Sequence, residues 1–182
     1  MIEDKLFLID SNILICSIDS SEKIKSLSTK AYEEIEIPKI RLNEAYPIRI
    51  GSKQGIAKNL LKPCWLGKKV YAISLQNLSE FFVNSTKKVT RPLSKEKGAK
   101  IVKRIIEFDG FKKLEPTKGT LQKAIDICIK ENIGYWDALI AATMIENNIY
   151  HIYTENTKDF EIEGITAVNP FENRRENRER VN

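Results

Sequence analysis

Residues Tyr135 to Ile145 read Tyr-Trp-Asp-Ala-Leu-Ile-Ala-Ala-Thr-Met-Ile, and no other stretch restricts the fold as much. At about 100° per residue, Ala138, Leu139, Ile140, Ala141, Ala142, Met144 and Ile145 point in nearly every direction around a helix axis. Such a helix has no water-facing side, so other layers must enclose it. Asp137 rides in its first turn. Burying an unpaired carboxylate costs several kcal/mol or forces it to protonate. The free N–H groups and dipole of a helix start offset only about 0.3–1 kcal/mol of that. Asp137 therefore calls for a cation, a metal or a strong set of donors, and it is the first candidate for chemistry.

The chain has 182 residues, a length expected to form one domain that buries about 70% of its extended surface. No apolar run reaches the roughly 18 residues of a membrane span, and Met1-Ile2-Glu3-Asp4 lacks the basic start of a secretory signal. A soluble, cytoplasmic protein is expected. Cys16, Cys64 and Cys128 include no Cys-x-x-Cys pair, which argues against a disulfide framework or a zinc site and for packed thiols. His151, the single histidine, falls within a predicted strand, leaving little room for histidine-dependent catalysis. The net charge is +5, from 30 basic and 25 acidic residues. Lys87, Lys88, Arg91, Lys95, Lys97, Lys100, Lys103 and Arg104 lie close together, followed by Lys112 and Lys113. That cluster fits either an ordinary solvated helical face or a surface for a phosphate backbone.

Leu6-Phe7-Leu8-Ile9 is a continuous apolar run closed by Asp10, as expected of a strand covered on both faces of a parallel sheet. Ile24, Leu27, Ala31 and Ile35 predict a helix from about Ser21 to Ile35. Val70 to Ile73 reads as a second strand, and Ser74 is placed to cap a helix from Leu75 to about Lys87. Pro92-Leu93-Ser94 opens a further helix with Ala99, Ile101, Val102, Ile105, Ile106 and Phe108 expected inward and Gly110 as its stop. Phe111 to Leu114 fits a short strand or a connector. Thr120 to about Asn132 is predicted helical with Leu121, Ala124, Ile125, Cys128 and Ile129 inward. Ile149 to Thr154 and Ile165 to Val168 complete the strands. This alternation predicts an α/β fold with a largely parallel central sheet. Two stretches interrupt it. Residues 36–69, with Pro38, Pro47 and Pro63 and three glycines, read as an insertion with room for a hairpin. Residues 172–182, with four arginines, read as a charged tail, disordered or folding on a partner, behind a domain spanning 1–171.

In parallel α/β sheets, functional groups gather at the carboxyl ends of strands and at the helix starts facing them. Asp10 ends the first strand, Glu80 lies in the helix after the second, and Asp137 opens the enclosed helix. Asp159 lies in the loop Thr154-Glu155-Asn156-Thr157-Lys158-Asp159-Phe160 after a later strand. All four can reach one sheet edge. Clustered carboxylates repel unless a cation joins them, and hard ions such as Mg²⁺ or Mn²⁺ take oxygen ligands of this type. Each acid alone also has a plain role. Asp10 would cap a turn, Asp137 a helix, and Asp159 would sit on a loop surface. Glu80 would share a solvent face with Gln76, Asn77 and Asn84.

Four segments resemble, in order, the motifs of PIN domains, most closely the VapC-type toxins: Phe7-Leu8-Ile9-Asp10-Ser11-Asn12-Ile13-Leu14, Ser74-Leu75-Gln76-Asn77-Leu78-Ser79-Glu80-Phe81, Trp136-Asp137-Ala138-Leu139-Ile140-Ala141-Ala142, and Tyr153 to Phe160 with Asn169-Pro170-Phe171. The similarity covers most of residues 6–171. It implies a three-layer α/β/α nuclease that cleaves RNA with Mg²⁺ or Mn²⁺, usually a homodimer and often held inactive by a cognate antitoxin. Matched residue by residue, Asp10, Glu80 and Asp137 fall on the family's acidic metal-site positions. Ser11 and Asn12 stand beside the first acid, and Thr154 falls on the Thr of the last motif, where a hydroxyl or amide orients a ligand or water. Many members read Thr-x-Asp at that motif, which puts Asn156 where an acid is expected. The fourth acid is then Asp159, or a neutral amide replaces it. The segment 36–69 is a second departure, with a bearing on antitoxin docking or substrate access.

A phosphatase with an aspartyl nucleophile would want a second Asp where Asn12 stands, and no glycine-rich phosphate loop is present. The competing reading is a non-catalytic RNA-binding or protein-interaction module on the same fold. Asn156 favours it; the three retained acids oppose it.

Overall fold

In the computed structural model, which describes residues 5–18 and 52–172, strand β1 (Phe7–Ile9) is buried throughout. Phe7 and Ile9 enter one apolar cluster and Leu8 enters another, because successive side chains of a strand point to opposite faces. Strand β2 (Tyr71–Ser74) repeats the alternation, with Tyr71 and Ile73 on the first face and Ala72 on the second. With β3 (Phe111–Leu114), β4 (His151–Tyr153) and β5 (Thr166–Val168) they form an all-parallel sheet in the order β3-β2-β1-β4-β5. Leu8 is in register with Ala72 on one side and Ile152 on the other.

Helices α1 (Ser11–Ile18), α2 (Lys53–Trp65), α3 (Leu75–Lys87) and α4 (Lys95–Glu107) cover the first face through Ile13, Leu61, Phe81 and Ile105. On the second face α6 (Tyr135–Glu146) packs through Ile140 and Met144. Helix α5 (Lys118–Glu131) lies over α6, with Ala124 against Leu139 and Ala142. The result is a three-layer α/β/α fold, and the layering explains α6: sheet on one side and α5 on the other bury Ala138 through Met144. No helix among the described residues is long and apolar enough to cross a membrane.

Several elements differ from the sequence expectation. A helix follows β1 at once, because the Asp10 carboxylate accepts the Ser11 N–H at 2.6 Å and the Asp10 carbonyl accepts that of Ile13 at 3.1 Å. The helix expected over 21–35 lies outside the described residues, as do 36–51 and 173–182. The described part of the 36–69 segment holds α2 and no hairpin. Ser52 Oγ caps it by accepting the Gly55 N–H at 3.1 Å, and Ala57, Leu61 and Cys64 form its buried stripe. Pro63 sits in its last turn, where its carbonyl accepts Lys68 N–H (2.9 Å) as Gly67 turns the chain at φ +67°.

In α4 and α5 the apolar residues do not all face inward. Ala99 and Ile106 are exposed, because α4 approaches α3 through Gly98, where a Cβ would lie 2.9 Å from Thr86. In α5 small Ala124 makes the contact, which leaves Leu121, Ile125 and Ile129 exposed.

Candidate active site

Strand β1 is flanked by β2 and β4, which are reached by connections leaving in opposite directions, and a crevice opens at the carboxyl ends of strands at such a point. Asp10 stands there. Its N–H continues the sheet by donating to Tyr153 O at 3.0 Å, and the residue is 7% exposed. Its carboxylate accepts from Ser11 N (2.6 Å), Thr154 Oγ1 (2.7 Å), Asn12 Nδ2 (2.8 Å), Asn77 Nδ2 (3.2 Å) and Ser11 Oγ (3.3 Å). A carboxylate offers about four lone-pair directions, so these donors fill them and a cation bound here would displace one of them. Burial pushes its pKa up, the Thr154 and Ser11 donors pull it down, and the Glu80 charge adds to the rise; the net direction is upward.

Asn77 belongs to the same network, although its sequence position read as solvent-facing. It is fully buried. Its Oδ1 accepts from Ser74 Oγ at 2.6 Å and Ser74 N at 3.3 Å, which completes the capping box of α3, while Nδ2 reaches Asp10. One turn further on, Glu80 accepts from Ser11 Oγ (3.1 Å) and Gln76 Nε2 (2.8 Å). The single Ser11 hydroxyl proton thus serves two carboxylates. Gln76 Nε2 also donates to Trp136 O at 2.9 Å and ties α3 to the start of α6. The face expected to meet water instead meets β1 and α6.

Asp137 lies in the first turn of α6. Gly134 precedes that helix without a side-chain cap, and its carbonyl accepts from Asp137 N (3.1 Å) and Ala138 N (3.0 Å). A Cβ at position 134 would lie 2.9 Å from Asp137 Oδ2, so the carboxylate folds over the glycine. Burial, then the charges of Asp159, Asp10 and Glu80, push the Asp137 pKa up to about 6, against a backbone donor that lowers it. The charges of Asp10, Glu80 and Asp159 thus all act on Asp137, and that of Glu80 also acts on Asp10.

Asp159 lies in the 3₁₀ turn Thr157–Phe160, its N–H on Asn156 O at 3.2 Å. Asn156 is exposed, and its N–H donates to Thr154 Oγ1 at 3.1 Å. Asn12 spans the two loops, accepting from Glu155 N at 3.3 Å and donating to Thr154 Oγ1 at 3.1 Å. The Lys53–Glu155 ion pair brings the start of α2 beside this loop.

Among the described residues, no group of three or more His, Cys, Asp or Glu side chains is placed to hold one metal ion. Mg²⁺ binds through one or two carboxylates while keeping several waters, and does not require an all-protein cage. The oxygen-only donor set fits such an ion, and the repulsion that raises Asp137 is what a cation would relieve. Gln76, Asn77 and Gly134 were missed in the sequence. For Asn77 there was a signal, its third position after the Ser74 cap; for Gly134 only its place three residues before Asp137.

The PIN domain family model matches residues 64–162. Comparison with curated protein sequences returns no match. Among solved structures, a toxin–antitoxin complex from Klebsiella pneumoniae gives a TM-score of 0.52 at 20% identity, over 92% of this chain and 99% of that one. VapC20 of Mycobacterium tuberculosis, a sarcin-ricin loop cleaving toxin, gives 0.55 at 12% over 87% and 98%. VapBC2 of Rickettsia felis, bound to a fragment of its promoter DNA, gives 0.52 at 17% over 90% and 98%. At these identities the likeness is one of fold.

Proposed function

The chain belongs to the PIN domain family, whose model matches more than half of it, and from that premise we propose a divalent-metal-dependent endoribonuclease that hydrolyses RNA phosphodiester bonds as the toxin of a toxin–antitoxin pair. One observation carries this reading. Asp10, Glu80, Asp137 and Asp159 come from four distant stretches, and beside burial the charges of the other three, Asp159, Asp10 and Glu80, each raise the pKa of Asp137. A scaffold has no physical use for that repulsion; a cation site does.

Asp10, Glu80 and Asp137 would hold Mg²⁺ or Mn²⁺, with Asp159 as the auxiliary acid. When bound, such an ion would supply Lewis-acid activation of water and counter-charge for the phosphodiester. The chain's own residues prepare the place. Ser11, Asn12, Asn77 and Thr154 fix the Asp10 carboxylate, Asn156 holds the Thr154 hydroxyl through its backbone, and Gln76 fixes Glu80 against α6. A site whose ligands are already oriented loses less on binding substrate and ion. The exposed lysines of 87–103 begin seven residues beyond Glu80 on α3 and supply counter-charge to an RNA backbone.

The antitoxin partner is proposed because structural relatives are toxin–antitoxin complexes. A homodimer in the cytoplasm and one nuclease domain over residues 1–171 complete the proposal. The test is cleavage of a mixed RNA substrate with Mn²⁺, with EDTA, and by the Asp10→Asn and Asp137→Asn proteins. Cutting that needs the ion and both acids is the expected result. Parent protein that stays inert with either metal while still binding RNA would establish the non-catalytic module instead.

A further inference from the structure

Trp136 is 64% exposed, a rare state for the largest apolar side chain, and it stands immediately before Asp137. It belongs to none of the three apolar clusters of the described residues. Tyr135 meets it edge-on at 5.3 Å and 68°. The main chain beneath it is fixed: Gln76 Nε2 donates both to Trp136 O (2.9 Å) and to Glu80 Oε1 (2.8 Å). An indole held open to water is thus tied through one amide to one of the four acids. The other end of that amide, Gln76 Oε1, is buried without a hydrogen-bond partner.

We propose that Trp136 is a nucleobase-stacking subsite, which grips single-stranded RNA beside the bond to be cut. The proposal rests on the RNA-cleaving reading of the acid site. Four carboxylates repel phosphates that approach before a cation is in place, so attraction next to them must come from a part of the nucleotide that carries no charge. A base face is that part, and an exposed indole is its complement. In a duplex each base is already stacked on its neighbours, so the subsite selects unpaired RNA.

The experiment measures anisotropy of a short fluorescein-labelled oligoadenylate, and of an abasic oligonucleotide with the same phosphates, in EDTA so that neither is cut. Trp136→Ala should weaken oligoadenylate binding about 5- to 150-fold, equivalent to the ~1–3 kcal/mol of one base–aromatic stack, and leave the abasic probe unchanged. Trp136→Phe should stay within about threefold of the parent. Thermal melts of both variants should match the parent, because the indole is packed in no cluster. Equal oligoadenylate binding by parent and Trp136→Ala would overturn the subsite, as would parallel loss on both probes. A change in sedimentation of Trp136→Ala with probe affinity unaltered would overturn it too and assign the indole to a protein contact. Cleavage with Mn²⁺ separates the two readings. Probe discrimination without cleavage refutes the nuclease and keeps the subsite, and cleavage without discrimination does the reverse.

Discussion

Gly134→Ala isolates the placement of Asp137 from the stability of the fold. The backbone at Gly134 has φ −60° and ψ 139°, a region alanine occupies freely, so the methyl group brings no backbone strain. It does bring a contact. The new Cβ would lie 2.9 Å from Asp137 Oδ2, against 3.4–4 Å for ordinary van der Waals contact, so the carboxylate must move by about half an ångström. The stability terms nearly cancel. Alanine restricts the unfolded chain and stabilises by about 0.4–1 kcal/mol, while its weaker preference at a helix N-cap costs a comparable amount. The melting temperature should stay within about 2–4 °C of the parent. Activity should not. A misplacement of about 1 Å costs about a hundredfold, so half of that should lower kcat/KM on RNA by about tenfold. The assay pairs initial cleavage rates in Mn²⁺ with a thermal melt of the same preparation. Activity within twofold of the parent, with the fold intact, would show that the carboxylate position against residue 134 has no part in the reaction.

Other outcomes follow from the same network. The Asp137 pKa is raised by burial and then by the other acids, so the stability it favours is present at low pH and is lost as pH rises through about 6. Chelated parent should melt lower at pH 7 than at pH 5, and Asp137→Asn should reduce that difference, leaving the part that the raised Asp10 contributes. An unchanged slope in the variant would place the titration elsewhere. Mn²⁺ at a hundred times its Kd should stabilise the parent by about 2.7 kcal/mol and leave Asp137→Asn nearly unaffected, as read by thermal shift. Asp159→Asn should lose less cleavage activity than Asp137→Asn; an equal loss would make Asp159 a principal ligand. Asn77→Ala should cost about 1–3 kcal/mol by leaving Ser74 and Asp10 short of a buried partner, measured by urea denaturation.

What could be read in the chain followed from how many directions a segment leaves free. Strand β1 and helix α6 are apolar all round, so their enclosure and the α/β layering were legible, and Asp10 and Asp137 stood out as acids inside apolar runs. Helix α5 is different. It carries two apolar arcs, and the packed one uses Ala124 while Leu121, Ile125 and Ile129 face out. Periodicity alone does not say which arc a neighbour covers. Helix α2 was hidden by Gly55 and Pro63, residues that interrupt an average helix but here sit in its first and last turns. Asn77 was hidden for a further reason. A polar residue on a helix is solvent-facing by default, and only the contact with Asp10, 67 positions away, makes it internal.

That contact separates two substitutions that charge repulsion alone would treat alike. If only repulsion mattered, Asp10→Asn and Asp137→Asn would both stabilise the metal-free protein. Both oxygens of Asp10 accept donors, however, from Ser11 and Asn77 on one and from Asn12 and Thr154 on the other. An asparagine there turns an NH₂ toward one of those donor pairs and leaves them unsatisfied, at about 1–3 kcal/mol. The Asp137 carboxylate takes a backbone donor, and burial and three acids raise its pKa, so its amide loses repulsion and little else. In EDTA at pH 7 Asp10→Asn should therefore melt below the parent and Asp137→Asn above it, while both lose RNA cleavage. If the two shifted in the same direction, the division between a carboxylate fixed by donors and one left repelled by its neighbours would be wrong.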